Sequence, residues 1–563
     1  MAMTQVMLED ERKFALGEGV AVPDVATVLA GADVVVIREA PVELHATYYD
    51  SADLRLLASG VTLRRRRGGD DAGWHLKLPA GGPHERTEVR RPLGQDGEQG
   101  WPEPVPEELA ELVFARLRGA ALQPVAELST RRSATRVRDH AGHLLVEVAD
   151  DVVAATPSGC EEPMSWREVE IEQYPGGGAI ADRIAAVLVA AGARLDESGP
   201  KLAHALGLRV DEGAGAPPAG GPEGARGRSP RGGAARRSGA SLPAARPSAD
   251  QAETGDAAAG AALRSPLVAA VLSRLAEQSE ALAACDLAVR RHEDDSVHQM
   301  RVASRRLTSA LGTFDGLFEG DRAQSLRDEL RWLAHWLGAA RDAEVMRAEL
   351  EEEMSALPSE QLLAPVRSTL TDRLVGSEAV AGEELAAAMR SDRYAALLDE
   401  LSAFVARPPL RAGVDLEAAA RAAVRRDLRR VRRRMAEAEG RSGRARELAL
   451  HEARKRAKQA RYSLETVAPV YEKRAVGLAR RYEALQEALG EHHDAVVIGE
   501  LLREEGARAG VRGGGNGYSF GVLAGIQRCR AETSERLAWR AFARADRKKR
   551  RRFLRRPAAR SRR

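Results

Sequence analysis

Cysteine is almost missing from this chain: Cys160, Cys285 and Cys529 are the only three in 563 residues, each more than a hundred positions from the next. So few, so scattered and odd in number, they exclude a disulfide framework and a cysteine-based zinc site, and read as reduced thiols. Long apolar runs are missing too. The nearest, Val34–Ile37 and Ala185–Ala191, fall far short of the ~18–20 residues that span a bilayer. The first sixteen residues, MAMTQVMLEDERKFAL, place acidic groups where a signal peptide needs a basic and then an apolar run. The expectation is a soluble, cytoplasmic protein. A GxxxxGK[ST] loop is absent and Gly68–Gly69 reads as a turn, which excludes a P-loop nucleotidase. Aromatics supply only 4% of residues, leaving no obvious platform for stacking a base. What is present, 44% hydrophobic and 30% charged residues, suffices for real cores and excludes a wholly disordered chain. The length suggests three or four domains or two large ones, and the dominance of Ala, Arg and Glu makes helix the majority state.

The formal net charge of +3 conceals two different halves. Residues 1–210 carry 23 basic and 33 acidic groups, whereas residues 263–563 carry 57 and 44. The last twenty residues alone, 544–563, hold 12 basic groups against one acidic. Between the halves, 211–262 is Gly, Ala, Pro, Ser and Arg with few large apolar residues. It cannot bury enough surface to offset its ordering entropy and reads as a flexible linker. Before it the pattern has period two; after it the period is helical.

In the first half several candidate strands put charge on one face. Glu9, Glu11 and Lys13 alternate with Asp10 and Arg12; Arg64 and Arg66 oppose Val61 and Leu63; His75 and Lys77 oppose Trp74, Leu76 and Leu78. Arg86 and Glu88 share a side, and Glu168, Glu170 and Glu172 share another, opposite Val169 and Ile171. One such strand is ordinarily just solvated. Five of them, some acidic and some basic, call for compensation: a divalent cation with oxygen ligands for the acidic rows and an oxyanion for the basic ones. A closed sheet with a polar interior could hold both.

These residues carry a resemblance. Glu9-x-Glu11-x-Lys13, YYDSADLRLLASGVTLRRRRGG, WHLKLP, the Arg86–Glu88 pair, the late Glu-x-Glu strand and the lysine of SGPKLAHAL, in that order over residues 5–208, resemble the CYTH family, the triphosphate tunnel metalloenzymes. The resemblance implies an eight-stranded antiparallel β tunnel binding a triphosphate with Mg²⁺ or Mn²⁺. Glu9, Glu11, Glu168 and Glu170 would ligate metal, with Asp151 preferred to Asp150 by parity with Glu147, and Glu172 a bystander on that face. Lys13, Arg64, Arg66, Lys77, Arg86, Arg132 and Lys201 would hold phosphates, and Glu9, Glu11 and Lys13 form the catalytic signature. Which of Arg131, Arg136 and Arg138 point inward is left open.

The second half repeats itself. His298, Arg301, Arg305 and Arg306 are followed by Leu337-Gly338 and Arg341-Asp342. His451, Arg454, Lys455, Lys458 and Arg461 are followed by Leu489-Gly490 and His493-Asp494. The His-to-Asp spacing is 44 residues in one copy and 43 in the other, the mark of an internal duplication. His at i with basic residues at i+3 and i+7 makes one helical stripe. A single stripe is a solvated face; two related by pseudo-symmetry can line one groove. The histidines lack His or carboxylate partners at ligand spacing, so a metal role is not expected, and His292 and His335 are incidental or core. Over residues 264–540 this pattern resembles the CHAD family, the conserved-histidine α-helical domain. That implies a pair of four-helix bundles binding polyphosphate through His298, Arg301, Arg305, Arg306, His451, Arg454, Lys455, Lys458 and Arg461, with Thr308 in the place of Arg461 in the first copy. Association with polyphosphate granules is compatible with it. The basic tail lacks a nucleic-acid reading fold, so nucleic acid is expected only as a non-specific contact.

The reading is a metal-dependent hydrolase of inorganic triphosphate or short-chain polyphosphate joined to a polyphosphate-binding module, with no membrane partner. Its rivals are hydrolysis or cyclisation of thiamine or nucleoside triphosphates in the same tunnel, and a non-catalytic polyphosphate-binding scaffold.

Overall fold

The computed structural model describes residues 5–17, 19–79, 85–93, 104–160, 162–196, 199–208, 265–362, 366–511 and 517–555. The expected linker at 211–262 lies outside them, as do residues 556–563 of the tail. The chain divides into two compact units, Met1–Gly224 and Ala225–Arg563.

The first unit is one antiparallel sheet. Its strands are β1 (Gln5–Ala15), β2 (Val35–Arg38), β3 (Val42–Asp50), β4 (Thr62–Arg67), β5 (Gly73–Pro79), β6 (Glu85–Pro92), β7 (Gln123–Arg138), β8 (Leu144–Pro157), β9 (Met164–Gln173) and β10 (Arg194–Leu195). Hydrogen bonding runs β1-β6-β5-β4-β3-β7-β8-β9, and β9 pairs back onto β1, closing an eight-stranded barrel. Strands β2 and β10 are short additions on β7 and β1.

The period-two pattern is inverted relative to an ordinary sandwich. Apolar residues point outward: Phe14, Val137, Val146, Val148, Val169 and Ile171 form a core with Ala181, Ile184, Ala185 and Leu188 of helix α1 (Gly178–Ala190). Charged residues point inward, and register stacks them across strands. Lys13 faces Glu170, Glu11 faces Glu172, Asp151 faces both Glu168 and Arg132, and Lys77 faces Glu88. Because side chains alternate, this register commits the whole charged set to one side of the sheet. The short helix α2 (Lys201–Ala205) packs Leu202, Ala203 and Ala205 against Tyr48, Leu128 and Val153, which sets Lys201 at the barrel.

The second unit is helical. In the first copy lie α3 (Pro266–Arg290), α4 (Ser296–Thr313), α5 (Arg322–Ala356), α6 (Val366–Met389) and α7 (Asp392–Ala406). In the second lie α8 (Leu416–Glu439), α9 (Gly443–Thr466), α10 (Lys473–Val511) and α11 (Tyr518–Ala545). The His-headed stripes sit on α4 and α9, which touch each other. A core of Leu350, Met354, Leu370, Ile498, Leu502 and Phe520 ties α5 and α6 to α10 and α11. The start of the basic tail is folded: Lys548–Arg555 forms a 3₁₀ helix with Phe553 and Leu554 buried and Phe553 against Tyr471. Two apolar residues in a run of cations suffice to dock it. No helix among the described residues is long and apolar enough to cross a membrane.

Candidate functional site: a charged tunnel and a basic groove

The barrel interior is a cavity of about 700 Å³ lined by charge, within the usual size range of small-molecule sites. Three carboxylates, Asp151 from β8 with Glu168 and Glu170 from β9, converge with oxygen atoms within 4.8 Å of one another. All three are buried, Asp151 completely. Asp150 points the other way and forms a two-pronged pair with Arg167 at 2.6 and 2.8 Å. Glu11 approaches the cluster from β1 and lines the cavity, as does Glu172. Glu9 pairs with Arg86 in the β1–β6 ladder; its side chain lies outside the described residues.

The cations assigned to phosphate reach these same carboxylates. Lys201 Nζ lies 2.9 Å from Asp151, 2.9 Å from Glu168 and 2.5 Å from Glu170. Arg132 forks onto Asp151 and reaches Glu170 at 2.6 Å, and Lys13 bridges Glu11 at 3.1 Å and Glu170 at 3.0 Å. Burial alone would raise the Glu170 carboxyl, but Lys201, Lys13 and Arg132 hold it well below its ordinary value. Burial likewise opposes the charge on Lys13, and Glu11, Glu170 and Glu168 raise it well above the usual lysine range.

Opposite stands a wall of Arg64, Arg66, Lys77 and Arg86, all lining the cavity. Burial, then the neighbouring Arg64 and Arg132, pull the Arg66 guanidinium down to about 9 although it pairs with Asp71, whereas Tyr48 and Glu88 raise Arg64. Lys77 comes within 3.6 Å of Glu11. Of the arginines left open by the sequence, Arg136 and Arg138 line the cavity, whereas Arg131 is exposed beside Glu43. Sequence reasoning missed the pair beneath this wall: buried His75 with Nδ1 2.8 Å from Glu88, and Nε2 2.9 Å from the Asp71 carbonyl. Burial lowers His75 to about 3 and keeps it neutral. His75 and Glu88 share the inward parity of Lys77 and Arg86, so the signal was in the alternation. Tyr48 and Tyr174 also line the cavity, so the low aromatic content does not leave it without aromatic rings.

In the helical unit a groove of about 1000 Å³ is lined by His298, Arg301, Arg305, His451, Arg454, Lys455 and Lys458. The duplication is visible in its contacts: Arg301 pairs with Asp342 at 2.7 Å, and Arg454 with Asp494 at 3.3 Å. Arg306 and Arg461 are not brought into the groove lining. Arg306 stands 6.0 Å from the Tyr462 ring, and Arg461 stacks on the same ring at 4.8 Å while pairing with Glu483 at 2.7 Å. The expectation that the histidines lack a histidine neighbour is corrected at His451. Its Nδ1 lies 3.2 Å from Nδ1 of His493, because α10 runs beside α9; Arg341 holds the matching place in the first copy. Burial, then the adjacent His493, Lys455 and Arg454, lower His451 to about 4. Lys458 is pulled down to about 6 by burial and by Arg305, Arg454, Arg301 and Arg461. Arg426 and Arg430 of α8 and Arg456 of α9 line a further part of the groove.

Comparison with known proteins agrees with this division. A CYTH domain model matches residues 7–185 and a CHAD domain model matches residues 273–503. Two uncharacterized proteins of Mycobacterium tuberculosis, MT2285 of strain CDC 1551 / Oshkosh and Rv2226 of strain H37Rv, are each 34% identical over 536 residues, 92% of either chain. The chain belongs to the family that joins a CYTH domain to a CHAD domain. Among solved structures, the CHAD domain from the plant Ricinus communis is 28% identical over 50% of this chain and 93% of its own, with a TM-score of 0.41. PptA from Streptomyces chartreusis is 21% identical over 49% and 98%, with a TM-score of 0.42.

Proposed function

We propose that the CYTH barrel hydrolyses inorganic triphosphate or short-chain polyphosphate with Mg²⁺ or Mn²⁺, and that the CHAD unit binds polyphosphate. The observation that carries this reading is that one barrel cavity holds both a buried carboxylate cage and a facing cationic wall. The cage fits a hard cation. Its donors are all oxygen, on three buried carboxylates whose oxygen atoms lie within 4.8 Å of one another. Asp151, Glu168 and Glu170, with Glu11 beside them and Glu9 as a further proposed ligand, would hold it. When bound, a divalent ion neutralises charge developing on the phosphoryl oxygens.

The chain's own residues do the rest. Arg64, Arg66, Lys77 and Arg86 bind and align the phosphate chain, and Lys13, Arg132 and Lys201 sit at the boundary between wall and cage. Closure of the barrel limits water and strengthens each of these contacts. In the CHAD unit, Arg301, Arg305, Arg454, Lys455 and Lys458 hold polyphosphate and raise the concentration of chain ends available to the barrel.

Tyr48 and Tyr174 in the lining favour a second reading, in which the triphosphate carries a thiamine or nucleoside group. The test is phosphate release from tripolyphosphate, ATP and thiamine triphosphate with Mg²⁺, Mn²⁺ or EDTA. Fast, metal-dependent turnover of tripolyphosphate supports the proposal, and preference for an ester transfers it to the second reading. No turnover with tight polyphosphate binding leaves a binding protein.

A further inference from the structure

Lys201 is the one cation among the described residues that touches all three carboxylates of the cage. Arg132 reaches Asp151 and Glu170, and Lys13 reaches Glu11 and Glu170. Three carboxylates this close and this buried repel unless a positive charge lies among them. The ammonium of Lys201 supplies that charge at the oxygens a divalent ion would use, so an ion entering the cage meets a like charge at close range and competes with it.

The two parts of Lys201 are held differently. Its backbone opens α2, which is anchored by buried Leu202, Ala203 and Ala205 and by His204 stacked on Trp166 at 4.3 Å. Trp166 in turn donates its indole N–H to Glu168 at 2.6 Å, fixing one wall of the cage. The side chain is a compact charge on a flexible four-carbon stem. It can swing without moving its helix, and it lines the same cavity as Arg64, Lys77 and Arg86.

We propose that Lys201 is a built-in counter-ion that exchanges places with the metal, leaving Asp151, Glu168 and Glu170 when a divalent ion takes the cage and turning its ammonium to the bound phosphates. This inference rests on the reading of the barrel as a metal–triphosphate site. Its consequence is reciprocal coupling: whatever draws Lys201 to the phosphate side tightens metal binding, and metal in the cage tightens phosphate binding by the same factor.

The test is Mn²⁺ titration of the metal-free full-length protein, followed by electron paramagnetic resonance without substrate, for wild type, Lys201→Met and Lys201→Gln. Removing the competing cation is expected to tighten Mn²⁺ binding by about 10- to 100-fold, the usual scale of groups around a metal site. Melting of the variants in EDTA should fall below wild type and recover with Mn²⁺, a rescue that a packing role would not give. Equal Mn²⁺ affinity in folded wild type and variants would overturn the exchange and leave the proposed function standing. No binding by any of the three would overturn both. If neither variant folds, acetylation of Lys201 in wild type, read by mass spectrometry, decides. Mn²⁺ should expose the amine to the reagent, and unchanged labelling would refute the proposal.

Discussion

The polyphosphate binding proposed for the helical unit should take up a proton, and Lys458 is the group that should bind it. The lysine is largely buried and is pulled from the ordinary 10.5 to about 6, by burial first and then by Arg305, Arg454, Arg301 and Arg461. The nearby carboxylates Asp342 and Asp494 are engaged by Arg301 and Arg454. With its pKa near 6, only about 1% of Lys458 is charged at pH 8. A row of phosphates in the groove reverses the local field. If it brings the lysine back toward 10.5, binding at pH 8 takes up close to one proton. Affinity then falls as pH rises, by up to about tenfold per unit between the free and bound values. His451 and His493, both lowered to about 4, would have to rise about four units to contribute there. The assay is calorimetric titration with polyphosphate at pH 8 in buffers of different ionisation enthalpy, where the slope of observed against buffer enthalpy counts protons. A slope near one in wild type and near zero in Lys458→Met is expected. Tight binding with no proton uptake, or equal uptake in the variant, would refute the reasoning.

Glu170→Gln removes the carboxylate shared by Lys13, Arg132 and Lys201. Tripolyphosphate turnover should drop at least about 100-fold, the scale of one charge-stabilising group in such sites, with polyphosphate affinity of the CHAD unit unchanged. Glu11→Ala should do the same, and loss of both properties in either variant would argue against two separate sites. Arg301→Ala combined with Arg454→Ala should weaken polyphosphate binding by about 10- to 150-fold per arginine, since a charge-assisted hydrogen bond is worth ~1.5–3 kcal/mol. The salt dependence should flatten and kcat on saturating tripolyphosphate should hold; unchanged binding would make the stripe a solvated face. Leu554→Ala should destabilise the helical unit by about 2–5 kcal/mol in a thermal melt, because this fully buried side chain docks the start of the basic tail. No shift would mean that Lys548–Arg555 does not pack in solution.

Alternation alone determined which residues share a face. Glu11 and Lys13, Arg64 and Arg66, and Glu168 and Glu170 each lie two apart, and a pleated strand must then send each pair to one side. The same parity separated Asp151 from Asp150, which the structure places on opposite faces. The nearly equal spacing from His298 to Asp342 and from His451 to Asp494, 44 and 43 residues, determined the duplication, because a repeated helical unit keeps its internal distances. Tertiary structure decided the rest. Local pattern cannot say whether a lysine in SGPKLAHAL serves a phosphate or a carboxylate; that depends on α2 packing where Lys201 meets β8 and β9. Nor can it pair His451 with His493 across two helices, or show that Arg461 turns from the groove onto Tyr462 and Glu483. Periodicity fixes the face from which a side chain leaves its own strand or helix, whereas the partner it meets is set by chain brought from tens or hundreds of residues away.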